Sequence, residues 1–142
     1  MQRSILDTGP IVALFDKNDH FHKKLYDFFS KGNYILYSTW SVITEVSFLL
    51  EFNVNSQLDF LKWIESGAIQ MVELNILDIS SVSDYMSKYR DVPMDLADAA
   101  LMCIAEKLDL KEIITLDKDF YIYRKNNGKY LNNLISGLLP NV

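Results

Sequence analysis

The chain has 142 residues, of which 49% are hydrophobic and 13% aromatic, so it is long enough for one domain with a substantial buried core. Its net charge of −5 disfavours a protein that binds nucleic acid through a generally basic surface, because phosphate affinity normally comes from lysine and arginine. Its lone cysteine, Cys103, excludes an internal disulfide and suits a reducing compartment.

Predicted helices and strands alternate along the whole length, without a linker rich in proline, serine or glycine, which predicts a single domain over residues 1–142. No apolar stretch approaches the roughly 20 residues that a membrane-spanning helix requires. The amino terminus runs directly into a β-like segment, with no export signal before it. We therefore expect a cytoplasmic protein with no membrane partner.

In chain order, the first predicted unit is a strand, a tight turn and a helix. Residues 4–6 are apolar, Asp7-Thr-Gly-Pro follows as the turn, and residues 11–15 have helical spacing. Pro10 suits the first turn of a helix, where its missing N–H costs nothing. Asp7 therefore stands at the carboxyl end of the first strand. A second helix is predicted over residues 19–30, ended by Gly32, and a second strand over residues 34–37.

The next predicted helix is capped by Ser38, Thr39 or Ser41 and has Glu45 in its second turn. Helices are then predicted over residues 56–66 and 77–89, with a short strand over residues 69–74 between them. A further helix opens within residues 93–100 and runs to about residue 108. A strand over residues 112–116 ends at Asp117, and residues 121–123 are predicted as a last edge strand.

This alternation predicts an α/β fold with a mostly parallel central sheet and helices on both of its faces. In such sheets, ligands bind outside the carboxyl ends of the strands. Asp7 and Asp117 lie directly at predicted strand ends, and Glu45 and Asp98 lie in early helical turns that the same edge would present.

Four acids from distant parts of the chain match what a hard cation needs. Mg²⁺ prefers oxygen ligands and is usually held by one or two carboxylates, water and a substrate phosphate. A bound divalent ion activates water and stabilises charge on a phosphodiester as it is cleaved. It also reverses the local sign of charge, so the acidic composition need not repel a nucleic acid at that place.

Each acid also has a structural explanation. Asp95 is a candidate helix N-cap, with Asp98 completing a capping box and complementing the helix dipole. Glu45 is a candidate solvated position, although the apolar segment around it disfavours full exposure. The candidate turn residues are Asp7, Asp117 and Asp119.

Four blocks keep their order and spacing from residue 7 to about residue 120. They are Asp7-Thr-Gly-Pro-Ile-Val-Ala-Leu-Phe-Asp, Ser38-Thr-Trp-Ser-Val-Ile-Thr-Glu, Val92-Pro-Met-Asp-Leu-Ala-Asp-Ala and Ile114-Thr-Leu-Asp-Lys-Asp-Phe. Any one block is a weak signal, but together they resemble the motifs of PIN-domain proteins, particularly the VapC-like toxins of bacterial toxin–antitoxin pairs.

The resemblance implies a PIN fold, a three-layer α/β/α arrangement, and a metal-dependent endoribonuclease that uses Mg²⁺ or Mn²⁺. RNA would be the substrate, with a protein antitoxin and a second copy of the chain as partners. The implied acidic quartet, both catalytic and metal-binding, is Asp7, Glu45, Asp98 and Asp117. Asp7 and Asp98 are the surest ligands within it. The auxiliary candidates are Thr8, Asp95 and Asp119. Leu116 departs from the arginine often found before the fourth acid, which affects how RNA is positioned.

Outside the blocks, basic and aromatic residues follow Asp117, and Arg124 and Lys125 are the candidates for contact with RNA. Tyr121, Tyr123 and Lys129 belong to the same predicted rim. His20 and His22 lie away from the acidic blocks, which favours surface or packing roles. The aromatic side chains between residues 40 and 63 are expected in the core or a dimer interface rather than as platforms for bases.

Two other functions are open to a chain with these acids. A phosphoacceptor signalling domain also binds Mg²⁺ on a parallel sheet, but it needs adjacent acids after the first strand, whereas Thr8 and Gly9 follow Asp7. A non-catalytic PIN-fold interaction module is the second alternative. The complete quartet disfavours it, because a degenerate site would be expected to have lost a ligand.

Overall fold

The computed structural model of the protein describes residues 1–140. Within them, a single sheet has five strands in the order β3-β2-β1-β4-β5, and every neighbouring pair is parallel. The strands are β1 (Gln2–Leu6), β2 (Tyr34–Ser38), β3 (Ile69–Met71), β4 (Glu112–Ile114) and β5 (Asn132–Asn133). The prediction of a mostly parallel sheet is confirmed.

Six α-helices complete a three-layer α/β/α arrangement. In the described residues they are α1 (Thr8–Phe15), α2 (His22–Lys31), α3 (Trp40–Leu49), α4 (Val54–Glu65), α5 (Ile79–Lys88) and α6 (Leu96–Leu108). Helix α1 packs against α2, α3 and α4, whereas α5 packs against α6. None of these helices is both long enough and apolar enough to span a membrane.

The middle strand, β1, sets the position of the site. Its residues Ser4, Ile5 and Leu6 are completely buried, as expected for a strand covered on both faces. Ile5 pairs with Tyr37 of β2 on one side and with Ile113 of β4 on the other. Because all three strands are parallel, the residues that follow each of them meet at one edge of the sheet.

Helix α6 is buried on almost every side. Every residue from 97 to 105 is buried, including Cys103 as expected, and four of the nine are alanine. Small side chains let the helix approach its neighbours closely along this stretch. Asp98, in the first turn, belongs to the same stretch and is therefore buried.

One predicted element was wrong. Residues 121–123 do not form an edge strand, because a short 3₁₀ helix (Lys118–Tyr121) turns the chain back toward α6. The last strand is instead β5, whose two asparagines have low strand propensity and no detectable pattern. The helix predicted over residues 77–89 is confirmed as α5, which begins two residues later because a 3₁₀ turn (Ile76–Asp78), capped by Asn75, precedes it.

Candidate metal centre

Asp7 and Thr115 follow the adjacent strands β1 and β4. The Asp7 backbone N–H donates to the Ile114 carbonyl oxygen (3.1 Å), which extends the strand pairing by one residue. The Thr115 hydroxyl then donates to Asp7 Oδ2 at 2.7 Å. Asp7 is only 6% exposed, so this bond fixes the orientation of a buried carboxylate.

The same hydroxyl positions the fourth acid. Thr115 Oγ1 accepts the backbone N–H of Asp117 at 2.9 Å while it donates to Asp7. Asp117 Oδ1 in turn accepts the backbone N–H of Asp119 at 2.9 Å, so Asp117 begins the following 3₁₀ helix. The turn-forming explanation for Asp117 is therefore correct, and it leaves Oδ2 without a donor among the described residues.

Asn133 of β5 holds Thr115 in place. Its Oδ1 accepts the Thr115 N–H at 3.2 Å, and its Nδ2 donates to the Thr115 carbonyl oxygen at 3.0 Å. Asn133 Nδ2 also donates to the Tyr121 hydroxyl (3.1 Å). Sequence reasoning missed both Thr115 and Asn133, since no local pattern shows that β5 lies beside β4.

Asp98 enters the site from the start of α6. Its backbone N–H donates to Asp95 Oδ1 at 2.8 Å, which makes Asp95 the helix N-cap, as its structural explanation predicted. Asp98 Oδ2 accepts a hydrogen bond of 3.1 Å from the Tyr123 hydroxyl. Asp98 is 8% exposed and Tyr123 is completely buried. The prediction of Tyr123 as part of a surface rim was therefore wrong.

Asp7 lies within electrostatic reach of each of the other three acids of the quartet. The pKa of Asp98 is raised to about 8, chiefly by burial and in smaller part by the negative charges of Asp7, Asp95 and Asp117. Burial likewise raises the pKa of Asp7 to about 6, with contributions from Asp117 and Glu45. Glu45, on α3, is only partly buried. The fold therefore gathers acids whose ionised forms repel each other in the absence of a cation.

The donors at this edge fit a hard divalent cation. No group of three or more His, Cys, Asp or Glu side chains in residues 1–140 is arranged to hold a metal ion. The fit concerns the type of donor: the carboxylates of Asp7 and Asp98 offer oxygen ligands, which Mg²⁺ prefers, and Mg²⁺ binds few carboxylates and keeps several waters.

Two hydroxyls beside Asp7 support the same assignment. Thr8 Oγ1 and Thr39 Oγ1 are buried, and neither has a hydrogen-bond partner among the described residues. Thr8 is next to Asp7 in the chain, and Thr39 follows β2 where Asp7 follows β1. Buried hydroxyls without a protein partner are suited to bonding the water that such a cation carries.

The remaining candidates lie outside the acidic cluster. Lys125 is buried, and its ammonium donates to the Leu110 carbonyl oxygen at 3.0 Å and pairs with Asp109 Oδ1 at 3.5 Å. The prediction that Lys125 contacts RNA is therefore wrong, because its ammonium is buried and bonded inside the protein. Arg124 is exposed, and its guanidinium donates to the Tyr130 hydroxyl. It therefore remains a candidate for contact with RNA.

The two histidines have the packing and surface roles expected of them. His22 Nδ1 lies 2.8 Å from the Ala13 carbonyl oxygen. The His20 ring packs edge-on against Phe21, with ring centroids 5.0 Å apart. Neither contact involves the acidic cluster.

Comparison with known proteins agrees with this architecture. Residues 4–126 match the model of the PIN domain, and the chain belongs to the PIN-domain family. It is 25% identical over 116 residues to ribonuclease VapC26 of Mycobacterium tuberculosis, a match that covers 80% of this chain and 86% of the relative. Its fold is similar to that of the M. tuberculosis toxin VapC20, with a TM-score of 0.75 at 13% identity, covering 83% of this chain and 92% of the other.

The raised pKa values predict that the metal-free protein loses stability as the pH rises. Folding raises the pKa of Asp98 from 3.8 to about 8 and that of Asp7 from 3.8 to about 6. Between pH 3.8 and about 8, the folded state therefore binds more protons than the unfolded chain. The free energy of unfolding, measured by urea denaturation in EDTA, should therefore fall between about pH 5 and 8. Asp98→Asn should flatten this slope, whereas Asp84→Asn, on the exposed side of α5, should keep it. If the free energy of unfolding of Asp98→Asn falls with pH as steeply as that of the unmodified protein, the raised pKa of Asp98 is contradicted.

Proposed function

We propose that this PIN-domain protein is a metal-dependent endoribonuclease, the toxin of a toxin–antitoxin pair. The observation that carries the proposal is the convergence of Asp7, Asp98 and Asp117 with Glu45 at one edge of the parallel sheet. The ribonuclease VapC26 and the sarcin–ricin loop-cleaving toxin VapC20 support it as similar proteins. RNA is then the substrate, and a protein antitoxin is the expected inhibitor.

In this proposal Asp7 and Asp98 hold Mg²⁺ or Mn²⁺, because they are the two most deeply buried acids of the quartet. Each has one carboxylate oxygen fixed by a hydroxyl donor, Thr115 for Asp7 and Tyr123 for Asp98. When bound, the ion supplies an activated water and neutralises charge on the scissile phosphodiester. Asp117 and Glu45, which are less buried, accept hydrogen bonds from water at the site and orient it.

Contact with RNA beyond the scissile phosphate is assigned to Arg124. Its guanidinium lies over the Tyr130 ring at 4.6 Å from the ring centroid, which holds a cationic and an aromatic group together on the surface. Such a pair suits an RNA backbone and an unstacked base. Arg124 follows Tyr123, so this surface is joined directly to the segment that contacts Asp98.

The proposed activity requires a divalent ion. Purified protein incubated with structured and single-stranded RNAs should cleave RNA in Mg²⁺ or Mn²⁺ and should not cleave it in EDTA. Activity should return when Mg²⁺ is added in excess of the chelator. Cleavage that persists undiminished in EDTA would contradict the metal mechanism.

Removing either principal ligand should abolish cleavage without unfolding the protein. We expect Asp7→Asn and Asp98→Asn each to lose more than about 100-fold in rate, since losing even a partner of a metal ligand commonly costs 10- to 100-fold. Their melting temperatures in EDTA should hold or rise, because each change removes a carboxyl group whose ionisation the buried, crowded site disfavours. The matched control is Asp84→Asn. Substantial cleavage by either ligand variant would count against the quartet.

We further propose that the protein forms a homodimer through the exposed apolar face of α3 and the start of α4. Trp40, Phe48 and Phe52 are each between 60% and 65% exposed, and Val54 and Leu58 add to the same segment. Large exposed apolar side chains concentrated in one segment of the chain are typical of an interaction site.

Light scattering at tens of micromolar tests this assembly. The unmodified protein should have the mass of a dimer, and Phe48→Glu should have the mass of a monomer, because the charge would be buried in the contact. Ile76→Glu, at an 82% exposed position on the 3₁₀ turn before α5, should leave the dimer intact. A monomeric unmodified protein, or dissociation by Ile76→Glu alone, would remove this proposal.

A further inference from the structure

The only side chain in residues 1–140 that donates a hydrogen bond to Asp98 is Tyr123, on the segment that follows the fourth acid. The phenol lies 3.1 Å from Asp98 Oδ2, and no donor among the described residues bonds Oδ1. Tyr123 therefore occupies one oxygen of the carboxylate and leaves the other for a cation.

The Tyr123 ring is held on two sides by other aromatic rings. It packs edge-on against Tyr89, with centroids 5.1 Å apart, and against Phe120, with centroids 5.0 Å apart. The backbone N–H of Arg124 donates to the Tyr89 hydroxyl at 2.8 Å, which ties this segment to the end of α5. These contacts restrain the ring in the orientation that directs its hydroxyl at Asp98.

The Tyr123 hydroxyl is the donor of this bond, and Asp98 Oδ2 is the acceptor. An ionised carboxylate, the form that binds a cation, is also the form that accepts such a bond at either oxygen.

We propose that Tyr123 is a positioning residue: by fixing Asp98 Oδ2, it turns the carboxylate so that Oδ1 binds the divalent ion. This inference rests on the proposed function, in which Asp98 is a metal ligand. The chain connectivity strengthens it. Asp117 begins the 3₁₀ helix that leads to Tyr123, and the Tyr123 N–H donates to the Asp119 carbonyl oxygen at 3.2 Å. One short segment therefore sets the positions of both the third and the fourth acid.

The test replaces Tyr123 by phenylalanine, which removes the hydroxyl and keeps the packed ring. Tyr85→Phe is the matched control, because the Tyr85 hydroxyl also donates to a carboxylate of α6, Glu106 Oε1, at 2.9 Å. Glu106 lies eight residues beyond Asp98, which is about 12 Å along the helix axis. Both changes thus remove one tyrosine–carboxylate bond from the same helix, but only one of them is at the site.

Mn²⁺ binding measured by calorimetry is the primary readout, at a temperature where circular dichroism shows all three proteins folded. Tyr123→Phe should raise the Kd for Mn²⁺ about 10-fold, the lower end of the range for partners of metal ligands. Tyr85→Phe should leave the Kd unchanged. In RNA cleavage, Tyr123→Phe should need about 10-fold more Mg²⁺ for half-maximal rate and should lower kcat, with KM for RNA little changed.

An unchanged Mn²⁺ Kd in Tyr123→Phe would overturn the inference, as would an equal rise of Kd in Tyr85→Phe. The experiment distinguishes failure of the positioning role from failure of the ribonuclease proposal. If the unmodified protein binds Mn²⁺ and Tyr123→Phe weakens that binding, but neither cleaves RNA, the positioning role stands and the ribonuclease proposal fails. If RNA is cleaved in Mg²⁺ while Tyr123→Phe binds Mn²⁺ normally, only the positioning role fails.

Discussion

Parallel pairing of β1 with β4 is the constraint on which the candidate site depends. It brings the residues after both strands to one edge, where a single hydroxyl, Thr115 Oγ1, bonds the Asp7 carboxylate and the Asp117 backbone N–H together. Because β1 is the buried centre of the sheet, Asp7 is taken out of water with it. The fold itself therefore places these acids close together.

Crowding of this kind is unfavourable for the folded protein until a cation is bound. Burial and mutual repulsion raise the pKa of both Asp7 and Asp98, so below about pH 8 the metal-free folded protein binds protons that the unfolded chain would release. The neutral hydroxyls of Thr115 and Tyr123 orient these carboxylates without supplying positive charge. A lysine or arginine in their place would neutralise the site and weaken its attraction for a metal ion. The positive charge at the site is therefore supplied by the bound ion, and that charge attracts the phosphates of RNA.

Much of this arrangement was predictable because it follows from local rules. Asp7 lies after an apolar strand, and Asp95 precedes a helix with N-cap chemistry, so their positions could be inferred from neighbouring residues alone. The roles of Asn133 and Tyr123 could not be inferred in this way, because they depend on contacts between residues 18 and 25 positions apart in the chain. Lys125 shows the opposite error: a basic residue in a polar segment was expected at the surface, but its ammonium is buried against the Leu110 carbonyl oxygen.

The central claim is that these acids hold one divalent ion at the edge of the sheet, and the most direct measurement is anomalous diffraction from crystals soaked in Mn²⁺. The account predicts an anomalous peak bound to Asp7 and to Asp98 Oδ1, with water completing the coordination shell. The same peak should be absent from crystals of Asp98→Asn. A Mn²⁺ peak elsewhere on the protein, or no peak near Asp7 at saturating Mn²⁺, would contradict it and leave these acids with only the turn-forming and helix-capping roles already visible in their hydrogen bonds.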